Sequence, residues 1–261
     1  MDEQISWFAG LLDAHAIPYW VDCGTLLGLM REGDLLRRGG KNPDDDIDIS
    51  MWSTDEPRFR SITPLIREAG YAIRRVSYNR LTVRWYIIAP SQIDPNRPYP
   101  RLPIHVHIYR KHGRHAWSPR WYLKRDEQAF IRRVPASTRN TLISTLYGDS
   151  ERLLLLRRWI TIEVCAWPFR LFYDVGTSWV PSFYFERIEH LRGTGVSIPK
   201  EWQSYLEFRY GDWRTPLEEW NFWLHDGGFQ RKTPKEMIGR IDGSTELEER
   251  SRSSTVRAQT R

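Results

Sequence analysis

Tyr19 to Ser50 reads YWVDCGTLLGLMREGDLLRRGGKNPDDDIDIS, and the fold turns on how its two ends are read. At the front, the run Tyr19-Trp-Val-Asp-Cys23 meets Gly24-Thr25 and then Leu26-Leu-Gly-Leu-Met30, the pattern of a strand, a tight turn and a helix. A turn of this kind presents backbone N–H groups to a phosphate. At the back, Asp44, Asp45, Asp46 and Asp48 fall within five positions, flanked by Ile47 and Ile49. Side chains of a strand alternate between faces, so Ile47 and Ile49 enter a core while Asp46 and Asp48 share the other face. Carboxylates are crowded in this way mainly when a cation neutralises them, and the plainer alternative is an acidic surface turn. The order strand, Gly-Thr turn, helix, acidic strand favours a catalytic site over that alternative.

Asp22-Cys-Gly-Thr-Leu-Leu-Gly-Leu-Met-Arg31-Glu-Gly33, followed by Pro43-Asp-Asp-Asp-Ile-Asp-Ile49, resembles the LicD/fukutin family of phosphotransferases. The resemblance implies an α+β fold, a nucleotidyltransferase-like mixed sheet with flanking helices and a helical C-terminal part. It implies transfer of a phospho-alcohol, such as phosphocholine or ribitol phosphate, from a CDP-activated donor to a hydroxyl of a glycan or glycoconjugate. Gly24 and Thr25 then form the phosphate turn, and Asp46 and Asp48 hold a divalent metal, Mg2+ first and Mn2+ second. The family often carries an aromatic residue between the proline and the acidic run, whereas here Pro43 leads straight into Asp44.

Composition agrees with a globular chain. The 261 residues suffice for one sizeable core, and the hydrophobic fraction is 40%. A formal net charge of +6 favours acidic partners, whether nucleotide phosphates, anionic lipid or nucleic acid. Cys23 and Cys165 are too few for a disulfide scaffold or a zinc ribbon and read as reduced, packed thiols, which fits a cytoplasmic setting. The N-terminus lacks the basic region and cleavage site of a signal peptide and reads as an amphipathic helix with Ile5, Phe8, Leu11 and Leu12 on one side. The apolar region 153–185 is interrupted by charges and cannot supply the ~20 apolar residues of a membrane span, so membrane contact would be peripheral.

After the acidic strand, Asp55-Glu-Pro57 opens a helix that runs to Ala69, with Pro64 as a kink and Gly70 as its stop. Two strands follow around Asn79, over 71–77 and 81–88, and then a proline-dense loop over 90–103. Ile104-His-Val-His-Ile-Tyr109 is the second stretch with chemistry in it, since alternation puts Ile104, Val106 and Ile108 in the core and His105, His107 and Tyr109 opposite. By resemblance a third carboxylate is due on this strand, and the position falls on His107. That histidine is read either as a neutral metal ligand, which suits manganese or zinc better than magnesium, or as a general base. A weakened metal site is the third outcome.

Lys111 to Arg125 reads as a basic acceptor rim or a solvated loop with buried aromatics. Ala129 to Val134 reads as a strand, followed by a helix ending at Tyr147-Gly-Asp149, and Glu151 to Phe185 reads as helical. Ile198 to Asp212 then places a proline before a helix closed by Tyr210-Gly-Asp212, continuing into Trp213. Tyr210, Gly211, Asp212 and Trp213 resemble the family's second motif, expected at the acceptor side. Arg31, Arg38 and Lys41 are candidate cations for the donor phosphates. Tryptophans near predicted loop ends, including Trp117, Trp202 and Trp213, read first as core mass and second as sugar- or lipid-contacting faces.

The expected domains are a nucleotidyltransferase-like core over 1–150, a helical part over 151–230 that completes the site, and a disordered tail over 231–261. The tail's mixture of basic residues with Glu246, Glu248 and Glu249 weakens it as a membrane-binding segment. Two rival functions stand beside the transferase: a nucleotidyltransferase that moves the nucleotide itself, and a non-catalytic basic module. No recognition helix or aromatic RNA-binding strand supports a nucleic-acid partner.

Overall fold

The computed structural model describes residues 3–38, 42–43, 46–78, 81–88, 102–123, 173–217, 220 and 222–239. Two compact units are distinguished, Met1–Pro119 with Thr177–Arg261, and Arg120–Gly176. The expected boundary at residue 150 lies outside the described residues, as do the expected strand over 129–134 and its following helix.

The first unit is α+β with a mixed sheet. In chain order the described elements are α1 (Glu3–Ala14), β1 (Trp20–Val21), α2 (Cys23–Arg31), β2 (Arg37–Arg38), β3 (Asn42–Pro43), β4 (Ile47–Trp52), α3 (Glu56–Ser61) and α4 (Thr63–Glu68). Then come β5 (Ala72–Tyr78), β6 (Leu81–Ile88), β7 (Ile104–His112) and β8 (His115–Leu123). After β9 (Tyr173–Pro181) and a 3-10 turn (Ser182–Phe185) follow β10 (Ile188–His190), β11 (Ser197–Pro199), α5 (Trp202–Tyr210), α6 (Phe222–His225) and β12 (Phe229–Gln230).

The main sheet runs β1-β4-β7-β8-β9-β12, with β6 also paired to β7 and β5 to β6. β4 and β7 are parallel, in the register Asp48 to His105 and Ser50 to His107, and β6 lies antiparallel on β7 with Arg84 opposite His107 and Tyr86 opposite His105. This register is what matters for function. One face of the central strands carries Ile47, Ile49, Ile104, Val106 and Ile108, all fully buried, and forms a core with Ile5, Phe8 and Leu12 of α1 and Phe59 and Ile66 of α3 and α4. The spacing of Ile5, Phe8 and Leu12 puts them on one helical stripe, which is why α1 docks there. The opposite face carries Asp48, Ser50, His105 and His107, and farther along the strands it is roofed by aromatics, with Phe185 stacked on Trp20 at 4.5 Å and edge-on to Tyr205 at 5.0 Å.

Several local readings change. The helix expected over 55–69 is two short helices broken at Ile62, because Pro64 provides no backbone N–H to continue the first. Residues 115–123, read as part of a basic acceptor rim or a solvated loop with buried aromatics, form β8 in a hairpin with β7, closed at Gly113 where φ is +53°. The helix expected to run through Phe185 is instead strand β9 over its last described part, ending in a 3-10 turn. The described part of 151–230 therefore combines strands with two helices. In the stretch read as a tail, Thr233 and Glu236 form a reciprocal capping box, the Thr233 N–H donating to Glu236 Oε2 at 2.7 Å and the Glu236 N–H to Thr233 Oγ1 at 3.3 Å. Of the tryptophans expected near loop ends, Trp117 and Trp213 are buried. No helix of the described residues is long and apolar enough to cross a membrane.

Candidate active site

The site begins at the junction of β1 and α2. Asp22, fully buried, caps α2 by accepting the Cys23 N–H on Oδ1 at 2.7 Å, and its own N–H donates to the Asp48 carbonyl at 3.0 Å. Cys23 sits at φ +51°, a left-handed conformation that turns the chain sharply from strand to helix. Gly24 and Thr25 follow in the first helical turn, where backbone N–H groups have no intrahelical acceptor and carry the positive end of the helix dipole. The Thr25 hydroxyl oxygen accepts the Asp48 N–H at 2.8 Å, so the helix start and the acidic strand are pinned to each other. Gly28 permits the close approach of the following loop: a Cβ there would stand 2.6 Å from Asp34 O and Leu36 N.

On the strand face, two carboxylate–imidazole pairs stand side by side. His107 Nε2 lies 2.7 Å from Asp48 Oδ1 in a hydrogen bond, and His107 is 2% exposed. His105 Nδ1 lies 2.6 Å from Asp46 Oδ2 and 3.9 Å from Asp48 Oδ1, a close contact without hydrogen-bond alignment, with His105 more open to solvent than His107 and Asp46 more open than Asp48. Tyr86 packs edge-on against His105 with ring centroids 4.5 Å apart, and the Arg84 guanidinium lies 5.5 Å from the Tyr86 ring. Donor atoms converge in two sets, Asp46, Asp48 and His105, and Cys23, Asp48 and His107, each within 4.8 Å of one another. Either can hold a divalent cation as far as its donor chemistry goes.

Beneath the turn lies a buried ionic network. Arg209 of α5 donates from Nη1 to Asp22 Oδ1 at 3.2 Å and from Nε to Asp226 Oδ1 at 3.2 Å, and pairs through Nη2 with Asp226 Oδ2. Tyr205 donates its hydroxyl to Asp22 Oδ1 at 2.5 Å, and Ser50 Oγ donates to Asp22 Oδ2 at 2.5 Å. Burial alone would lower the Arg209 pKa, but Asp226 and the neighbouring Cys23 and Tyr205 outweigh it and hold the guanidinium protonated well above its usual range. Burial is the main cause pushing Tyr205 well above the usual tyrosine range; Arg209 opposes this and Asp22 reinforces it.

Among the residues singled out from sequence, Gly24, Thr25, Asp46, Asp48 and His107 are brought together. Arg31 instead bonds the Trp213 carbonyl at 3.3 Å and Glu32 at 2.9 Å, tying the end of α2 to the second motif. Arg38 lies on β2, described by its backbone alone, and Lys41, Asp44 and Asp45 lie outside the described residues. In the second motif, Gly211 ends α5 at φ +65°, Asp212 accepts from Thr215 Oγ1 at 2.6 Å, and Trp213 packs edge-on to Trp202 at 5.7 Å. The Tyr210 ring lies 5.7 Å from the Arg209 guanidinium.

Sequence reading missed His105 as a site residue, although its alternation with His107 was the available signal. It also missed Cys23, Asp22, Tyr205, Arg209 and Asp226. Asp22 carried the signal of an N-cap acid before a turn; the partnership of Arg209 and Asp226 with it carried none, because it joins residues more than 180 positions apart.

A parallel pair of strands thus brings carboxylates and imidazoles beside a helix N-terminus, where donors for a cation stand next to backbone N–H groups. Residues 16–138 match the family model of the LicD/FKTN/FKRP nucleotidyltransferase domain, a match that supports membership of the LicD family. The chain is also 36% identical over 73 residues to an uncharacterized protein of Rickettsia typhi and 37% identical over 70 residues to one of Rickettsia prowazekii. These stretches cover 28% and 27% of this chain, and 21% and 23% of the two relatives. The chain thus spans less than a quarter of the curated relatives it matches.

Proposed function

We propose that the protein is a metal-dependent transferase with a nucleotidyltransferase-like catalytic core, moving a phospho-alcohol from a CDP-activated donor to a hydroxyl of a glycan or glycoconjugate. The observation that carries this reading is the union of Asp46 and Asp48 with the first turn of α2, through the Thr25–Asp48 hydrogen bond of 2.8 Å, inside the segment that matches the LicD domain.

Asp46, Asp48 and His105 are the residues that would hold the divalent cation, and their two carboxylates and one imidazole suit Mn2+ better than the oxygen-seeking Mg2+. Bound there, such an ion supplies charge neutralisation for the donor diphosphate and the leaving nucleotide. The Gly24 and Thr25 N–H groups, in the first turn of α2, would hold an adjacent phosphate oxygen in the same role. His107, buried and bonded to Asp48, is better suited to holding that carboxylate than to taking a proton from an acceptor. Tyr210 to Trp213, linked to α2 through Arg31, belong to the acceptor side.

The test is to incubate the protein with CDP- and UDP-alcohols, a glycan acceptor and Mg2+ or Mn2+, and to follow products by mass spectrometry. Release of nucleoside monophosphate with the phospho-alcohol on the acceptor is the expected result. Nucleotide appearing on the acceptor would replace this reading by nucleotidyl transfer. Asp46→Asn and Asp48→Asn should each abolish turnover with the unfolding transition retained, and full activity in both would sink the metal assignment.

A further inference from the structure

Asp48 belongs to two donor sets of different chemistry. Asp46, Asp48 and His105 offer two oxygens and a nitrogen, whereas Cys23, Asp48 and His107 offer one sulfur, one oxygen and one nitrogen, again within 4.8 Å of one another. Magnesium takes oxygen ligands almost exclusively, but a thiolate with an imidazole and a carboxylate is a zinc-type set. The second set is also the deeper one: His107 is 2% exposed, Asp48 8% and Cys23 9%.

We propose that Cys23, Asp48 and His107 form a binding site for a thiophilic divalent ion of the zinc class. Three separate elements deliver the donors, the start of α2, β4 and β7, and each donor is held by a further contact. Cys23 is kept at φ +51° by the Asp22 carboxylate on its N–H at 2.7 Å, and its Sγ accepts from Arg209 Nη1 at 3.0 Å. A guanidinium hydrogen bond stabilises the thiolate, which is the form that binds metal, and outer contacts of this type orient the ligands of such sites. Asp48 is held through its backbone by Thr25, as described above. His107 Nε2 already lies 2.7 Å from Asp48 Oδ1. Ligands of a tetrahedral ion with bonds of about 2.0–2.1 Å stand roughly 3.3 Å apart, so loading opens this pair by about half an ångström. Side-chain rotation supplies that much.

The proposal shares Asp48 with the transfer reaction but needs neither donor nor acceptor, so it is tested on the full chain with metal alone. Co2+ titration of the wild type should produce thiolate-to-cobalt charge-transfer absorption in the near ultraviolet. The band should persist in Cys165→Ser, Cys165 being the chain's other thiol, and in Asp46→Asn, and should vanish in Cys23→Ser. His107→Ala should weaken Zn2+ binding by at least about tenfold, the smaller end of what losing an outer-shell partner costs. If Cys23→Ser fails to fold, zinc-loaded Cys165→Ser decides instead: X-ray absorption must show a sulfur neighbour at about 2.3 Å. Absence of the band in the wild type, its survival in folded Cys23→Ser, or a zinc ion without sulfur overturns the site. Since no transfer is measured, these outcomes leave the proposed reaction standing, and failure of the reaction leaves this site standing.

Discussion

Replacing Arg209 by Met should destabilise the protein severely. The side chains of Arg209, Asp22 and Asp226 are all 0% exposed, so the guanidinium divides its charge between two carboxylates in the buried interior. Methionine fills much of the aliphatic stem and leaves both carboxylates behind without that cation. Removing one member of a buried ion pair costs about 3–5 kcal/mol, because the stranded charge keeps its desolvation penalty and loses its compensation. Against a total stability on the order of 5–15 kcal/mol, that is a large fraction. Equilibrium urea unfolding followed by tryptophan fluorescence at neutral pH measures it, and with a slope of about 2–3 kcal/mol per molar the midpoint should fall by roughly 1–2 M. Adding Asp226→Asn to Arg209→Met should cost less than the sum of the two single changes, since one stranded charge has been removed. A loss under about 1 kcal/mol for Arg209→Met, below the 3–5 kcal/mol of a broken buried pair, would refute the reasoning. Strict additivity of the two changes would refute it too.

Gly28→Ala should also destabilise, by about 1–3 kcal/mol, because its Cβ would meet the backbone atoms Asp34 O and Leu36 N at 2.6 Å and neither can rotate away; thermal unfolding checks this. Thr25→Val keeps the shape but removes the acceptor of the buried Asp48 N–H, a loss of about 1–3 kcal/mol in denaturant titration. At alkaline pH, Tyr19, Tyr184, Tyr205 and Tyr210 have pKa values raised above 10.0, burial being the largest cause in each. Their folded pKa exceeds the unfolded one, so stability is complete below pH about 10 and falls above it as the unfolded chain ionises first. Unfolding midpoints measured from pH 8 upward should stay level to about pH 10 and then decline, with a shallower decline in Tyr205→Phe.

The α2 turn and the acidic strand were legible because each is encoded by local periodicity. Ile47 and Ile49 alternate with Asp46 and Asp48, Ile104, Val106 and Ile108 alternate with His105 and His107, and a period of two assigns faces without knowledge of any neighbour. The helix break at Pro64 and the cap at Gly211 follow from equally local chemistry. Where local signals were ambiguous, reading failed: 115–123 is basic and aromatic, which describes a solvated loop and a paired strand equally well, and pairing with β7 decided between them.

The sequence by itself thus determined that a helix start and a doubly acidic strand lie close in the chain, with a paired-histidine strand elsewhere. Tertiary structure alone decided that β7 lies parallel to β4 in a register that sets His107 against Asp48 and His105 against Asp46, turning two strand patterns into two carboxylate–imidazole pairs. It also decided that Asp22 is an interior charge held by Arg209, and that Cys23 stands with Asp48 and His107. The physical reason is range. Alternation, caps and breaks act over a few residues and are written in the chain, whereas strand register and buried ion pairing depend on which distant groups the folded core leaves opposite one another.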